Sequence, residues 1–139
     1  MNVPLYTTEI LRLAASLQDP QPLEREDGVA RLRSPTCGSR IETIVALDSE
    51  GRVEALSQVV LACAFGQASA ALLERSARGR SRDEMQAALS ELGDWLGGAH
   101  AEPHWPGIAT LAPARERKGR HGAILLPFRA LLAAMESAG

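Results

Sequence analysis

At 139 residues, with 45% apolar and 23% charged side chains and a formal net charge of −2, the chain reads as a single domain over 1–139 with a core of its own. The near-neutral charge argues against nucleic acid or a membrane surface as partner, and the longest apolar run, residues 59–65, is too short to span a bilayer. Glu9 and Arg12 interrupt the N-terminal apolar residues, so no signal peptide is read there, and two cysteines in such a chain fit a reducing cytoplasm where thiols stay free.

Along the chain, Ile10, Leu13, Ala14 and Leu17 recur at helical spacing and the stretch stops at Asp-Pro-Gln-Pro, residues 19–22, which predicts a short amphipathic N-terminal helix. Residues 28–34 alternate weakly and predict a first strand. Ile41, Thr43, Val45 and Leu47, then Val53, Ala55, Ser57, Val59 and Leu61, alternate clearly on either side of Asp-Ser-Glu-Gly and predict a β-hairpin. Cys37 sits in the Pro-Thr-Cys-Gly connection between the first and second strands. After Leu61 the period changes to that of a helix rich in small residues, which stops near Gly79 and places Cys63 in its first turn. Free backbone N–H groups and the helix dipole favour a thiolate there.

Ser81 and Glu84 have capping-box spacing and open a helix through Met85, Leu89, Leu92 and Trp95 to Gly97 and Gly98. Residues 99–119 read as an irregular loop, and a last helix is expected from about Ala123 to Met135. Strands followed by helices give an α+β fold, a small three-stranded antiparallel sheet packed against helices. Because antiparallel neighbours begin and end together, Cys37 and Cys63 are expected at one end of the sheet, near Ala123 and close enough for one metal to touch both sulfurs.

Other readings of these residues are less specific. A cysteine within Val-Val-Leu-Ala-Cys-Ala-Phe is by type a small buried hydrophobe, and Cys37 is by itself a surface thiol. His100 and His104 read as loop histidines, Trp105 as a loop anchor over the core. The run from Arg115 to Arg120 reads as a solvated loop or as a docking patch for an acidic partner.

Thr-Cys-Gly-Ser-Arg-Ile-Glu-Thr-Ile-Val-Ala-Leu-Asp (36–48), Ala-Cys-Ala-Phe-Gly-Gln-Ala (62–68) and Arg-His-Gly-Ala-Ile-Leu-Leu-Pro-Phe-Arg-Ala-Leu (120–131) resemble the iron–sulfur cluster assembly scaffold proteins of the IscU, SufU and NifU N-terminal types. The resemblance runs from the first helix through the last. It implies the same α+β fold, a scaffold or carrier rather than an enzyme, a cysteine desulfurase and apo-protein acceptors as partners, and a transient iron–sulfur cluster or zinc as cargo. It makes Cys37 and Cys63 the first and second ligand cysteines. The aspartate that follows the first is Ser39 here, and the third cysteine falls at Ala123 or Gly122, neither of which binds metal. His121 is near enough in sequence to offer an imidazole, and the Leu-Pro-Pro-Val-Lys motif of the IscU type is missing. Ser39 and Ala123 are expected at element ends, where substitution costs little.

A tetrahedral zinc or an iron of a cluster wants four ligands. Two thiolates and one imidazole leave any metal weakly held and easily passed on. Three readings therefore stand: a scaffold or carrier, a SufU-type zinc-dependent sulfurtransferase, and an adaptor that holds no metal. The oligomeric state is left open.

Overall fold

In the structure, a computed structural model that describes residues 6–34 and 38–138, the alternating segments become a three-stranded antiparallel sheet in chain order. Its strands are β1 (Gly28–Arg33), β2 (Arg40–Leu47) and β3 (Val53–Leu61). Arg33 pairs with Arg40 and Arg40 with Leu61 at one end, and Gly28 pairs with Val45 at the other. The β2–β3 turn is set by Asp48, whose Oδ1 accepts from the N–H groups of Glu50 and Arg52, both at 2.9 Å, and by Gly51 at φ 79°.

Alternation gives the sheet two unlike faces. Ile41, Thr43 and Val45 point to the buried side, while Arg31, Arg33, Arg40, Glu42, Val59 and Leu61 stand on the other. Two of the α-helices open on side-chain caps. Thr7 caps α1 (Thr8–Ala15) through its hydroxyl, and α2 (Ala64–Ser76) runs from the end of β3. Ser81 and Glu84 form the expected capping box of α3 (Arg82–Leu96). The last helix, α4 (Lys118–Ser137), lies against β1 and β2 and also packs on α2 and α3.

Two expectations need correction here. The last helix starts at Lys118 rather than near Ala123, because Gly119 and Gly122 weaken its sequence signal while contacts made by the next residues hold the turn. Residues 108–116 are not a loop but a 3₁₀ helix, Ile108–Glu116. Its buried residues, Ile108, Leu111 and Ala114, recur every third position, which is the 3₁₀ period.

The core joins all the helices to the inner sheet face, with Phe65, Phe128, Leu73, Met85, Ile124 and Leu131 fully buried. Ser69 of α2 donates to the Ile124 carbonyl of α4 at 2.6 Å, and Gln58 of β3 donates to the Ala70 carbonyl at 3.1 Å. Trp105 is the anchor its sequence position promised: its indole N–H donates to the Leu72 carbonyl at 2.9 Å and its ring meets Phe128 edge-on at 5.0 Å. At the far end of α4, Gly28 lies so close to Ala134 that a Cβ on it would stand 1.9 Å from the Ala134 carbonyl oxygen. The Ser137 hydroxyl there accepts from the Val29 N–H at 3.1 Å and directs its proton at the carbonyls of Ala134, at 2.8 Å, and Val29, at 3.2 Å. Among the described residues no helix is long and apolar enough to cross a membrane.

Three carboxylates are held below their ordinary range. The cause is chiefly the Leu47 N–H for Asp27, the Ser81 N–H for Glu84 and the His104 N–H for Glu91. A depressed folded-state pKa contributes stability that is present above the unfolded value and lost as pH falls through the folded one. The melting temperature should therefore fall as pH drops below about 4.5, the unfolded value for glutamate. In Asp27→Asn combined with Glu84→Gln the midpoint should vary less over the same range; an equally steep wild-type-like profile would show that other groups govern acid unfolding.

Candidate functional site

The end of the sheet where Arg33, Arg40 and Leu61 align gathers the candidate residues. Here the end of β1 is tied to the start of β2 by the Ser34 N–H donating to the Ser39 carbonyl at 2.8 Å. Both serines are buried, at 3% exposure each. Cys37 lies outside the described residues. The described residues on either side of it belong to the sheet end from which Leu61 leads into Ala62 and Cys63.

Cys63 is the N-cap of α2, one position before the first turn in which the spacing placed it, with φ −67° and ψ 174°. Its side chain makes no capping hydrogen bond, as expected of a thiol, which is a weak acceptor. Its carbonyl accepts from the Gln67 N–H at 3.0 Å, and the Gln67 amide donates to the Ala62 carbonyl at 3.0 Å. The thiol is half-buried, packed against the edge of the core. It is neither the fully buried hydrophobe that its residue type favours nor a freely exposed group.

The start of α4 comes alongside the start of α2. A Cβ built on Gly66 would stand 3.4 Å from the Ala123 Cβ and 3.3 Å from the Ala123 carbonyl oxygen. That oxygen lacks the usual i+4 donor, because the residue four positions on is Pro127. Ala123 is fully buried in this helix contact, whereas Gly122 is half-exposed. Of the two positions proposed for a third ligand, Gly122 is the one with access. Ala123 lies within α4 and Ser39 is buried, so the expectation that both tolerate substitution as element ends is corrected.

His121 is half-buried in the first turns of α4. Its Nε2 lies 2.9 Å from the Ala114 carbonyl and 3.1 Å from the Arg115 carbonyl. Carbonyls only accept, so Nε2 carries the proton and donates, and Nδ1 is the nitrogen with a lone pair in the neutral ring. This contact ties α4 to the 3₁₀ helix. Among the described residues no three His, Cys, Asp or Glu side chains form a group that could hold a metal ion. His104 is elsewhere, paired with Glu91 at 3.0 Å.

The basic run divides into two kinds of residue. Arg115 donates to the carbonyls of Trp95, at 2.9 Å, and Ala99, at 2.7 Å, and its guanidinium lies over the Trp95 ring. It closes the end of α3 and is not a docking group. Arg117 and Lys118 are exposed. The sequence reading passed over Arg33 and Arg40, which face each other across β1 and β2. Alternation from Arg31 to Arg33 was the signal that could have found them.

No model of a known protein family matches the sequence, and no curated protein matches it. Solved structures do. The N-terminal part of a nitrogen-fixing NifU-like protein from Brucella abortus superposes with a TM-score of 0.86 at 29% identity, over 96% of this chain and 94% of that one. A putative iron–sulfur cluster assembly scaffold protein for the SUF system from the thermophile Fervidobacterium islandicum AW-1 superposes with a TM-score of 0.80 at 16% identity, over 94% and 96%. The second likeness, at that identity, concerns the fold alone. The chain is thus an α+β protein whose structure matches the NifU-like N-terminal and SufU scaffold proteins across nearly its whole length.

Proposed function

We propose that this chain is an iron–sulfur cluster assembly scaffold or carrier. It takes sulfur from a cysteine desulfurase, handles iron and sulfur through the Cys37 and Cys63 thiolates, and yields them to apo-protein acceptors. The observation that carries this reading is the match to the NifU-like protein over 96% of the chain, with Cys63 as the N-cap of α2 at the sheet end that flanks Cys37. Sulfur transfer needs no oxidant: a thiolate attacks the outer sulfur of a donor persulfide, a new S–S bond forms as the donor's breaks, and the donor leaves as its thiolate. His121 contributes Nδ1 where a further ligand is needed.

The cluster is cargo here. A set of two thiolates and one imidazole is incomplete for iron or zinc, which suits release better than storage. The adaptor reading draws its support from the sequence, in which Ser39 and Ala123 stand where the family pattern has an aspartate and a third cysteine. Anaerobic reconstitution with ferrous iron and sulfide, with a parallel zinc arm, separates the readings. Wild type should retain iron and sulfide through gel filtration, with charge-transfer absorption, and Cys37→Ser and Cys63→Ser should each lose most of it. Retention of zinc alone would favour the sulfurtransferase, and no metal in wild type would favour the adaptor.

A further inference from the structure

The outer face of the sheet is exposed at the end near Ser34 and Ser39, although Ala46 at its other end is buried. α4 packs against β1 and β2, and α2 against β3, all from the buried side. At the end near Ser34 and Ser39 the outer face carries two cross-strand rows, Arg33–Arg40–Leu61 and Arg31–Glu42–Val59. Leu61 is 55% and Val59 43% exposed, large values for apolar side chains on a sheet. A shallow groove of about 400 Å³ runs between these residues.

The charges are unbalanced in a particular way. Glu42 is taken by Arg31, its ion-pair partner. Arg33 and Arg40 are exposed, oppose each other directly, and have no ion-pair or hydrogen-bond partner for their side chains among the described residues. Like charges placed directly across a ladder destabilise it. An arginine pair so placed is relieved by a carboxylate that both guanidinium groups can bond, a geometry that suits arginine.

We propose that this face docks an acidic segment of a partner protein, with a carboxylate set between Arg33 and Arg40 and an apolar side chain laid over Val59 and Leu61. The fit is one of charge complementarity beside an exposed apolar strip, the combination that gives protein interfaces their orientation and their burial. A nucleic acid fits less well, because two arginines with an adjacent glutamate make a short and interrupted track for a phosphate backbone. The proposal does not depend on cluster chemistry and concerns the outer face only.

The probe is a short soluble peptide alternating glutamate with leucine, titrated at low salt into the isotope-labelled whole chain. Amide shifts should move at Arg33, Arg40, Val59 and Leu61. Arg33→Ser with Arg40→Ser should weaken binding about tenfold, Leu61→Ser should weaken it as well, and Arg33→Lys with Arg40→Lys should bind between the serine pair and wild type, because an ammonium keeps the charge and loses the planar fork. The serine pair should melt no lower than wild type, since it removes a repulsion, so lost binding would not be lost folding. The proposal is overturned if a lysine–leucine peptide binds equally, if a single-stranded oligonucleotide moves the same amides as strongly, or if the shifts fall on another surface. It is also overturned if these amides shift with protein concentration alone, which would mean that a second copy covers the face.

Discussion

Gly28→Ala should destabilise the protein by about 3 kcal/mol, near the upper end of what overpacking a core contact costs. The new Cβ would sit 1.9 Å from the Ala134 carbonyl oxygen and 2.9 Å from its carbon, both backbone atoms of a helix that cannot rotate away as a side chain would. Either β1 lifts off α4 or the last turns of α4 unwind. Urea unfolding should show the midpoint falling with little change in slope. Gly93→Ala in α3 supplies the contrast: a Cβ there meets nothing within 4 Å, and the helix should gain about 0.5–1 kcal/mol from the lost glycine entropy. Equal stability of Gly28→Ala and wild type would mean that α4 does not press on β1 as described.

Ser39→Asp should lower the stability of the metal-free protein by about 1–3 kcal/mol, because it places a carboxylate where the present side chain is 3% exposed. If this sheet end handles metal, the same carboxylate becomes an asset once a cation is bound. Joined to Gly122→Cys, which adds a thiolate at the half-exposed position at the start of α4, it should make the melting temperature strongly zinc-dependent. A ligand at about a hundred times its dissociation constant returns about 2.7 kcal/mol, enough to offset most of the loss. Wild type should respond far less. A double variant that stays destabilised in saturating zinc, with no zinc retained after gel filtration, would remove metal binding from this end of the molecule.

Much of the fold was legible because its signals are local. Alternation located the hairpin, and Ser81 with Glu84 announced the start of α3. The beginning of α4 was hidden because Gly119 and Gly122 are poor helix formers, and what holds that turn includes the bond from His121 to the Ala114 and Arg115 carbonyls, a contact between elements. The 3₁₀ helix was hidden because its buried residues recur every third position, a period that matches neither an α-helix nor a strand, and Pro113 lies among them. At the site, the strand register brought Ser34, Ser39 and Cys63 to one end, the part of the expectation that does not involve Cys37. Burial at single positions could not be read: Ser39 and Ala123 looked like boundary residues, and one is buried beside the end of the sheet while the other is clasped between two helices.

The Ser137 hydroxyl, which engages both the N–H and the C=O of Val29, works as a stopper on the open margin of β1. A strand arriving from another chain would find the first ladder position on that margin already taken. The plug is a single side chain in the final turn of α4, so its hold depends on that turn staying wound. Unwinding that turn would free the Val29 N–H and C=O and add one more ladder position to the template that the margin offers a second strand.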